Sequence, residues 1–448
     1  MLDNFILLID VSLGSPAVSR QGFGTVLLLA LGLGVGFTER SRSYASAASA
    51  AADTDLSADA IARVTTAFSQ PSPPNLIKVG RREADVAQVV EFTVSGATDG
   101  TYTITINGEA HNFVASSSSV TLVVAGLVTA IQGGGQAAVV TATDNDPVVT
   151  VTSDVTGLPF TYSSSSTGSA IVEVEATANV SASTELTAVF AADTDWFHLV
   201  LDTRSDTDIT RTAATAEGIK RLFWAQTDSS DIIASPTTDV YSGLKALSYR
   251  WTVPIYYTVD ATHCDMAWAA RMASFDFDKK APTAAMLTLT GVATQAPTDT
   301  AIVNMAAKNV NFYSTLKGLG ATHPGTTPVG YDVELVITGA WFEARIGENI
   351  ASLLSAVSNA GERVKYNDEG FGRVNSRVEK QLQLGVTLGH VNASPTPEST
   401  FPKRADVPQV DVDAGMLRIT FGAQYSGRVK TVDIDGTVSV DFTSLSAP

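Results

Sequence analysis

Residues 196–227 read WFHLVLDTRSDTDITRTAATAEGIKRLFWAQT, and this stretch decides the fold class. Its two ends, 196–202 and 222–227, are apolar runs of strand length, the pattern of strands buried on both faces. The polar interval 206–220 between them reads as a helix, so the unit is strand–helix–strand and implies a parallel pair. The alternation continues downstream. Helices are expected at 238–249, 261–274 and 299–316, extended segments at 253–259, 286–290 and 331–337. An amphipathic helix follows, carrying Trp341, Ile346, Ile350, Leu353, Leu354 and Val357. The expected class is an α/β core with a mainly parallel sheet covered on both faces.

Upstream, residues 24–37 (GTVLLLALGLGVGF) form a 14-residue apolar run. A membrane span needs about 20 such residues, and four glycines weaken any helix here. Asp3 and Asp10 precede the run, where a signal peptide would carry basic residues. The run is therefore expected to be a buried strand and its loop, in a soluble protein. Residues 53–70 read as a helix with Ser57 as N-cap and Ile61, Val64 and Phe68 at helical spacing, stopped by Pro71, Pro73 and Pro74. A short strand at 76–79 follows.

Between 83 and 183 the composition shifts to Val, Thr, Ser and Gly, with alternation at 91–95, 101–106, 148–152 and 171–176. The pair Asn107-Gly108 predicts a tight hairpin turn between 102–107 and 110–114, and 122–132 is expected to be one short helix. Residues 116–119 and 163–166 are expected to be polar loops. This region reads as an inserted, mostly β domain. Beyond the proline-rich break at 395–408, strands are expected at 416–425 and 428–442. The chain should thus divide into an N-terminal extended arm (1–20), a first part of the core (21–82), the insert (83–183), the α/β core (184–408) and a C-terminal β region and arm (409–448).

With 448 residues, 44% hydrophobic and 17% charged, the chain is long enough for two or three domains and should fold. Its 29 basic and 46 acidic residues give a net charge of −17, which argues against a nucleic-acid-coating surface. The single cysteine, Cys264, excludes an intramolecular disulfide and any cysteine-rich metal site. No catalytic motif is present: there is no phosphate-binding loop, HExxH, GxSxG or CxxC, and Gly32, Gly34 and Gly36 lack dinucleotide-loop spacing. Asp202, Asp206 and Asp208 sit where α/β enzymes place ligands, but capping of the following helix by Asp206 or Thr207 accounts for them. Adjacent residues on a helix point about 100° apart, so His263, Cys264 and Asp265 cannot assemble a triad from themselves. The five histidines lack metal-ligand spacing. Aromatic residues at 224, 249, 251, 256, 257 and 268 are expected to fill a core. These residues carry no motif for enzyme activity, a cofactor or a metal, and an α/β enzyme with an unrecognised site stays as an alternative.

Several segments resemble one family in the same order along the chain. They are Val11-Ser-Leu-Gly-Ser-Pro-Ala-Val-Ser19 followed by Gly22-Phe-Gly24, Ala67-Phe-Ser-Gln70 leading to Val79-Gly-Arg81, and Leu201-Asp-Thr-Arg-Ser-Asp206. Lys308-Asn-Val-Asn-Phe-Tyr313, Trp341-Phe-Glu-Ala-Arg-Ile346 and the close at 427–438 complete the set. Together they resemble the contractile tail sheath proteins of myovirus-type bacteriophages, over 11–81 and 197–442. The resemblance implies an α/β sheath core with terminal β-strand arms and the β insert. It implies a structural subunit of a virion tail, assembled in the host cytoplasm. Such subunits stack as hexameric rings around a tail tube, with baseplate and tail terminator proteins as further partners. They contract to drive the tube through the host envelope during genome delivery, and bind neither nucleic acid nor membrane. The alternative class is another phage or surface structural protein: a tail tube, decoration or surface-layer protein.

The ends of the chain carry the candidate inter-subunit strands: Ile9, Val11 and Leu13 on one arm, Val429, Val432, Ile434, Val438 and Val440 on the other. A lone strand leaves backbone groups unpaired unless another sheet edge receives them. The competing arrangement is a hairpin within the subunit, with 416–425 receiving 428–442. Basic pairs at Arg40/Arg42, Lys279/Lys280 and Lys403/Arg404 are expected to be exposed partners for acidic neighbours in a polymer.

Overall fold

The computed structural model describes residues 21–116, 119–259 and 262–430. They fall into two compact units, residues 21–276 with 286–331, and residues 277–285 with 332–430.

In the first unit, β1 (Thr25–Ala30), β2 (Ser41–Tyr44), α1 (Ala47–Ala51), α2 (Ala58–Phe68) and β3 (Leu76–Arg81) come before the β-rich segment. That segment holds β4 (Val89–Val94), β5 (Gly100–Ile106), β6 (Glu109–Ala115), α3 (Val120–Gln132), β7 (Val140–Asn145), β8 (Val148–Ser153), β9 (Tyr162–Ser166) and β10 (Ile171–Thr177). After it come α4 (Ala182–Ala192), β11 (His198–Leu201), α5 (Asp206–Ile219), β12 (Leu222–Thr227), α6 (Val240–Ala246), β13 (Thr252–Tyr256) and α7 (Cys264–Ala273). The unit closes with α8 (Asp299–Ala307) and the hairpin β14 (Phe312–Leu316) and β15 (Leu319–His323).

The main sheet has the order β13-β12-β11-β1-β3-β2, parallel throughout except for β2 at its edge. The Leu-rich run therefore becomes β1, flanked by a parallel neighbour on each side and almost wholly buried. Leu27 and Leu29 share a core with Leu186 and Val189 of α4 and Ile209 and Ala213 of α5. Helix α7 contacts β1, β11 and β12 and packs with α2. Ser57 caps α2 by accepting from the Ala60 N–H at 3.2 Å. Of the aromatics expected in the core, all but the half-buried Tyr249 are buried, and Trp224 packs on Trp268 with centroids 5.8 Å apart.

The β-rich segment forms two antiparallel sheets, β10-β4-β8-β7 and β6-β5-β9, and its own core of Val90, Phe92, Tyr102, Ile104, Leu127 and Val149 with their neighbours. Asn107 and Gly108 both have positive φ, 50° and 83°, as a tight primed turn requires. Residues 163–166 are not a loop. They lie in β9, which pairs antiparallel with β5; an edge strand can satisfy its backbone with serine side chains half in water.

Two further expectations give way. Helix α8 stops at Ala307, Asn309 turns left-handed at φ 60°, and Phe312–Leu316 is a strand rather than the end of a long helix. The apolar spacing through Val310 and Phe312 fits either element, and the asparagine decides. Residues 333–337, expected as a strand, are the first turns of a helix whose N-terminal end is buried on several sides. A short apolar run cannot distinguish the two.

That helix opens the second unit as α9 (Val333–Asn359), followed by α10 (Asp368–Leu388), β16 (Glu398–Thr400), α11 (Gln409–Asp413) and β17 (Thr420–Gly422). Helices α9 and α10 cross closely at Gly385, where a Cβ would lie 2.5 Å from the Phe342 ring. The expected strand at 416–425 shrinks to β17, and its partner is β16, antiparallel, inside the proline-rich stretch. The alternative hairpin with 428–442 is not formed by the described residues 428–430; residues 431–442 lie outside the description.

Candidate functional site

The carboxyl edge of a parallel sheet is where an α/β enzyme would hold its ligand. Here that edge is filled by the protein's own ion pairs. Arg82, at the end of β3 with its side chain 2% exposed, reaches Asp208 at 2.8 Å, Asp85 at 3.2 Å and Asp202 at 3.4 Å. Arg63 of α2 pairs with Asp59 at 2.7 Å and Asp265 at 3.2 Å, and donates to the carbonyls of Leu201 and Asp202. The Asp202 carboxylate accepts from the Leu31 N–H at 2.5 Å. Burial raises the Asp202 carboxyl above its ordinary range, against the pull of that N–H and both guanidiniums.

The helix cap at α5 is neither Asp206 nor Thr207 but Ser205, which accepts from the Asp208 N–H at 3.4 Å. Asp208 is left to pair with Arg82 and Asp206 to accept from Thr227 at 2.9 Å. His263, Cys264 and Asp265 are all buried; Asp265 belongs to Arg63, and burial pushes the Cys264 thiol well up. Among the described residues no cluster of three His, Cys, Asp or Glu side chains is placed to hold a metal ion, and no helix is long and apolar enough to cross a membrane. Every acid of 202–208 that invited a ligand has a partner from the chain itself.

His198 illustrates the same economy. Its Nε2 bonds to the Phe23 carbonyl at 3.1 Å and its Nδ1 accepts from the Trp224 indole at 3.1 Å, which fixes the neutral tautomer. Burial holds its pKa down at about 3. The unfolded imidazole takes up its proton near pH 6.5. Stability is therefore full above pH 6.5 and falls as pH drops toward 3, by up to ~1.4 kcal/mol per pH unit from this residue. His263 and His390, also lowered by burial, act in the same direction. Urea denaturation between pH 7 and 4.5 should show this slope, and His198→Gln should reduce it by about one proton. An unchanged slope would remove His198 from the account.

The segment 308–313 is a set of rivets. The Lys308 ammonium is buried, paired with Asp239 at 2.8 Å and donating to the carbonyls of Asp231 and Ile232. Asn311 donates to Pro254 and Thr326 carbonyls and accepts from the N–H groups of Gly325 and Thr326, all within 2.8 Å. The Tyr313 hydroxyl accepts from the Leu289 N–H at 3.2 Å. Lys308 ties the end of α8 to residues 231–232 and Asp239, Asn311 ties residues 325–326 to β13, and Tyr313 ties Leu289 to β14, so the motif is architectural.

In the second unit, Trp341 and Arg345 lie one helical turn apart and grip one carboxylate. The indole donates to Asp278 at 2.8 Å and the guanidinium binds both its oxygens at 2.8 and 3.0 Å. An apolar groove of about 450 Å³ opens between α9, α10 and residues 415–421, lined by Ile350, Leu354, Phe371, Val378, Ile419 and Phe421. Strand β17 borders it with every residue exposed.

The candidate strand residues are placed as follows. Ile9, Val11, Leu13, Val432, Ile434, Val438 and Val440 lie outside the described residues. Val429 is 80% exposed. It is also out of step: an extended chain puts Val432, Ile434, Val438 and Val440 on one face and Val429 on the other. Of the basic pairs, Arg42 is drawn into Glu39, Asp53 and Asp55, and Arg40 into Glu185, all within the chain. These two do not wait for acids of another subunit.

No protein-family description matches this sequence, and no curated protein does. Solved structures do. The chain is similar to one in the six-fold symmetrised baseplate of the anti-feeding prophage, at 10% identity and TM-score 0.55, over 97% of this chain and 99% of that one. It is similar to a chain of the contracted helical sheath of the same particle, at 11% identity and TM-score 0.52, over 96% and 98%. A chain of the contracted sheath complex of an extracellular contractile injection system, PVC, matches at 11% identity and TM-score 0.52, over 97% of each. Over 96–97% of its length the chain shares its fold with chains of these contractile particles. This agrees with the resemblance carried by the sequence motifs.

Proposed function

We propose that this chain is the structural subunit of a contractile sheath, which polymerises as stacked hexameric rings around an inner tube and drives the tube through an envelope by contracting. The observation that carries this reading is the likeness over 96–97% of the chain to subunits of contracted helical sheaths. The filled carboxyl edge of the sheet supports a structural rather than an enzymatic role. The motif resemblance favours a phage tail, with tail tube, baseplate and terminator proteins as neighbours, location in the virion, and genome delivery as the outcome. The arms at 1–20 and 431–448 are proposed to donate strands to the open edges of β16 and β17 in neighbouring copies, through Ile9, Val11 and Leu13 and through Val432, Ile434, Val438 and Val440.

Sedimentation of the purified chain tests the reading. Assembly into particles far larger than the 46.8 kDa subunit supports it; a stable monomer at every concentration and salt condition contradicts it.

Residues 83–183 are proposed to be a separately folded outer lobe, since they bury a core of their own. Val86 and Val180 pair across their root, which brings the two ends together. Replacing 88–178 with a short Gly/Ser linker should therefore give a folded chain that still assembles. Complete loss of assembly in a soluble, folded deletion would contradict a peripheral role.

A further inference from the structure

The last described residues do not simply trail off. Tyr425 bridges to Val391, Ser426 donates to the Gly389 carbonyl at 2.6 Å, and Arg428 enters a pair of buried carboxylates just ahead of α9 and in its first turn. The Arg428 guanidinium, 13% exposed, bonds to Glu334 and lies 3.2 Å from Asp332. Two residues on, the Lys430 ammonium lies 2.7 Å from the same Asp332. Glu334 is itself held by the Thr283 hydroxyl at 2.9 Å and the Ala284 N–H at 3.2 Å. Between the two cations Val429 points outward, 80% exposed.

Arg428 is thus turned in toward the carboxylates and Val429 out to water, while the half-exposed Lys430 side chain reaches back to Asp332 with its ammonium. One ion pair would tether the chain and leave it free to swivel. Two, at i and i+2 on carboxylates that are 7% and 6% exposed, restrict that swivel, the 13%-exposed Arg428 holding more firmly than the 54%-exposed Lys430. In the sequence, Val432, Ile434, Val438 and Val440 stand at even spacing from Arg428 and Lys430. We propose that Arg428 and Lys430, seated on Asp332 and Glu334, are a register pin: positioning residues that set the direction and facing with which the C-terminal strand leaves its subunit toward a second copy of this chain. This rests on the sheath reading for the role, but not for the pin itself. Preorganising the strand removes part of the ordering cost that each new contact between subunits would otherwise carry. The register of strand addition matters because a slip of one residue turns every apolar side chain to the wrong face.

The test uses a nitroxide at Val429→Cys in the dilute full-length chain. Cys264 is fully buried, so the label goes to position 429. The pin predicts a slow-motion spectrum that becomes at least about threefold more mobile in D332N/E334Q, while Arg428→Lys, which keeps the charge, stays close to the parent. It also predicts that D332N/E334Q polymerises only at about tenfold higher concentration, a loss of ~1.4 kcal/mol per contact. Should D332N/E334Q fail to fold, R428Q/K430Q carries the same two predictions from the tail side. A label equally mobile before and after the substitutions overturns the pin. Release of the label with unchanged polymerisation overturns its role in register. A parent chain that never polymerises defeats the sheath reading instead, and the label still decides whether the pin exists.

Discussion

Cutting the chain after Lys430, or removing residues 1–13, is expected to give a folded, soluble monomer that no longer polymerises. The cut belongs after 430 because residues 409–430 are part of the second unit. The Tyr366 hydroxyl donates to the Met416 carbonyl at 2.7 Å, Arg418 pairs with Asp411, and β17 pairs with β16. Cutting at the proline-rich break instead would strip these contacts and open the apolar groove between α9 and α10. The residues beyond 430 supply alternating Val432, Ile434, Val438 and Val440 with acids between them. A strand of this kind added to an exposed edge gains a ladder of backbone bonds and the burial of its apolar face. Losing even ~4 kcal/mol per contact raises the concentration needed for assembly by about a thousandfold. The measurement is the amount of pelletable polymer against concentration, with circular dichroism confirming the fold. Assembly at parental concentrations by both truncations would sink the arm proposal.

Arg82→Met is expected to cost about 3–5 kcal/mol of stability, because it strands buried carboxylates without their cation. Arg82 holds together the end of β3, the end of β11, the first turn of α5 and Asp85 at the root of the β-rich segment. Arg211 pairs with Asp85 from the other side at 3.2 Å and donates to the Thr156 carbonyl, but it does not replace Arg82 at Asp202. Burial already raises the Asp202 carboxyl, and removing the guanidinium raises it further. A carboxyl whose folded pKa lies above its unfolded value binds its proton on folding, so its contribution is most favourable at low pH and is lost as pH rises through the folded pKa. The deficit of Arg82→Met should accordingly be smaller at pH 5 than at pH 8 when followed by urea denaturation. A loss below about 1 kcal/mol at pH 8 would show that water or other cations satisfy these acids.

The parallel sheet was legible because β1, β11, β12 and β13 are apolar runs that only a doubly covered sheet can bury. The Asn107-Gly108 turn was legible because it needs positive φ at both positions. Residues 333–337 were not, since five apolar-rich residues suit a strand as well as a buried helix start. Helix α10 was not legible because Arg373, Asn375, Arg377, Glu379 and Lys380 mask the buried row of Phe371, Val378 and Leu382. At the sheet edge the acids of 202–208 stood out, but their partners Arg63 and Arg82 lie more than a hundred residues upstream, and nothing local pairs them. The segment 308–313 was recognisable as a motif. Its work depends on the carbonyls of Pro254, Thr326 and Asp231, which only the folded chain brings near. The C-terminal root is similar: the odd spacing of Val429 from Val432 and Ile434 is in the sequence, but the seating of Arg428 and Lys430 on Asp332 and Glu334 exists only in the folded chain.

The most direct measurement of the central claim is negative-stain electron microscopy of the purified full-length chain. The sheath account predicts tubes of stacked rings with a central channel wide enough for an inner tube. Monodisperse globules, flat lattices or thin tubes without a channel would contradict it.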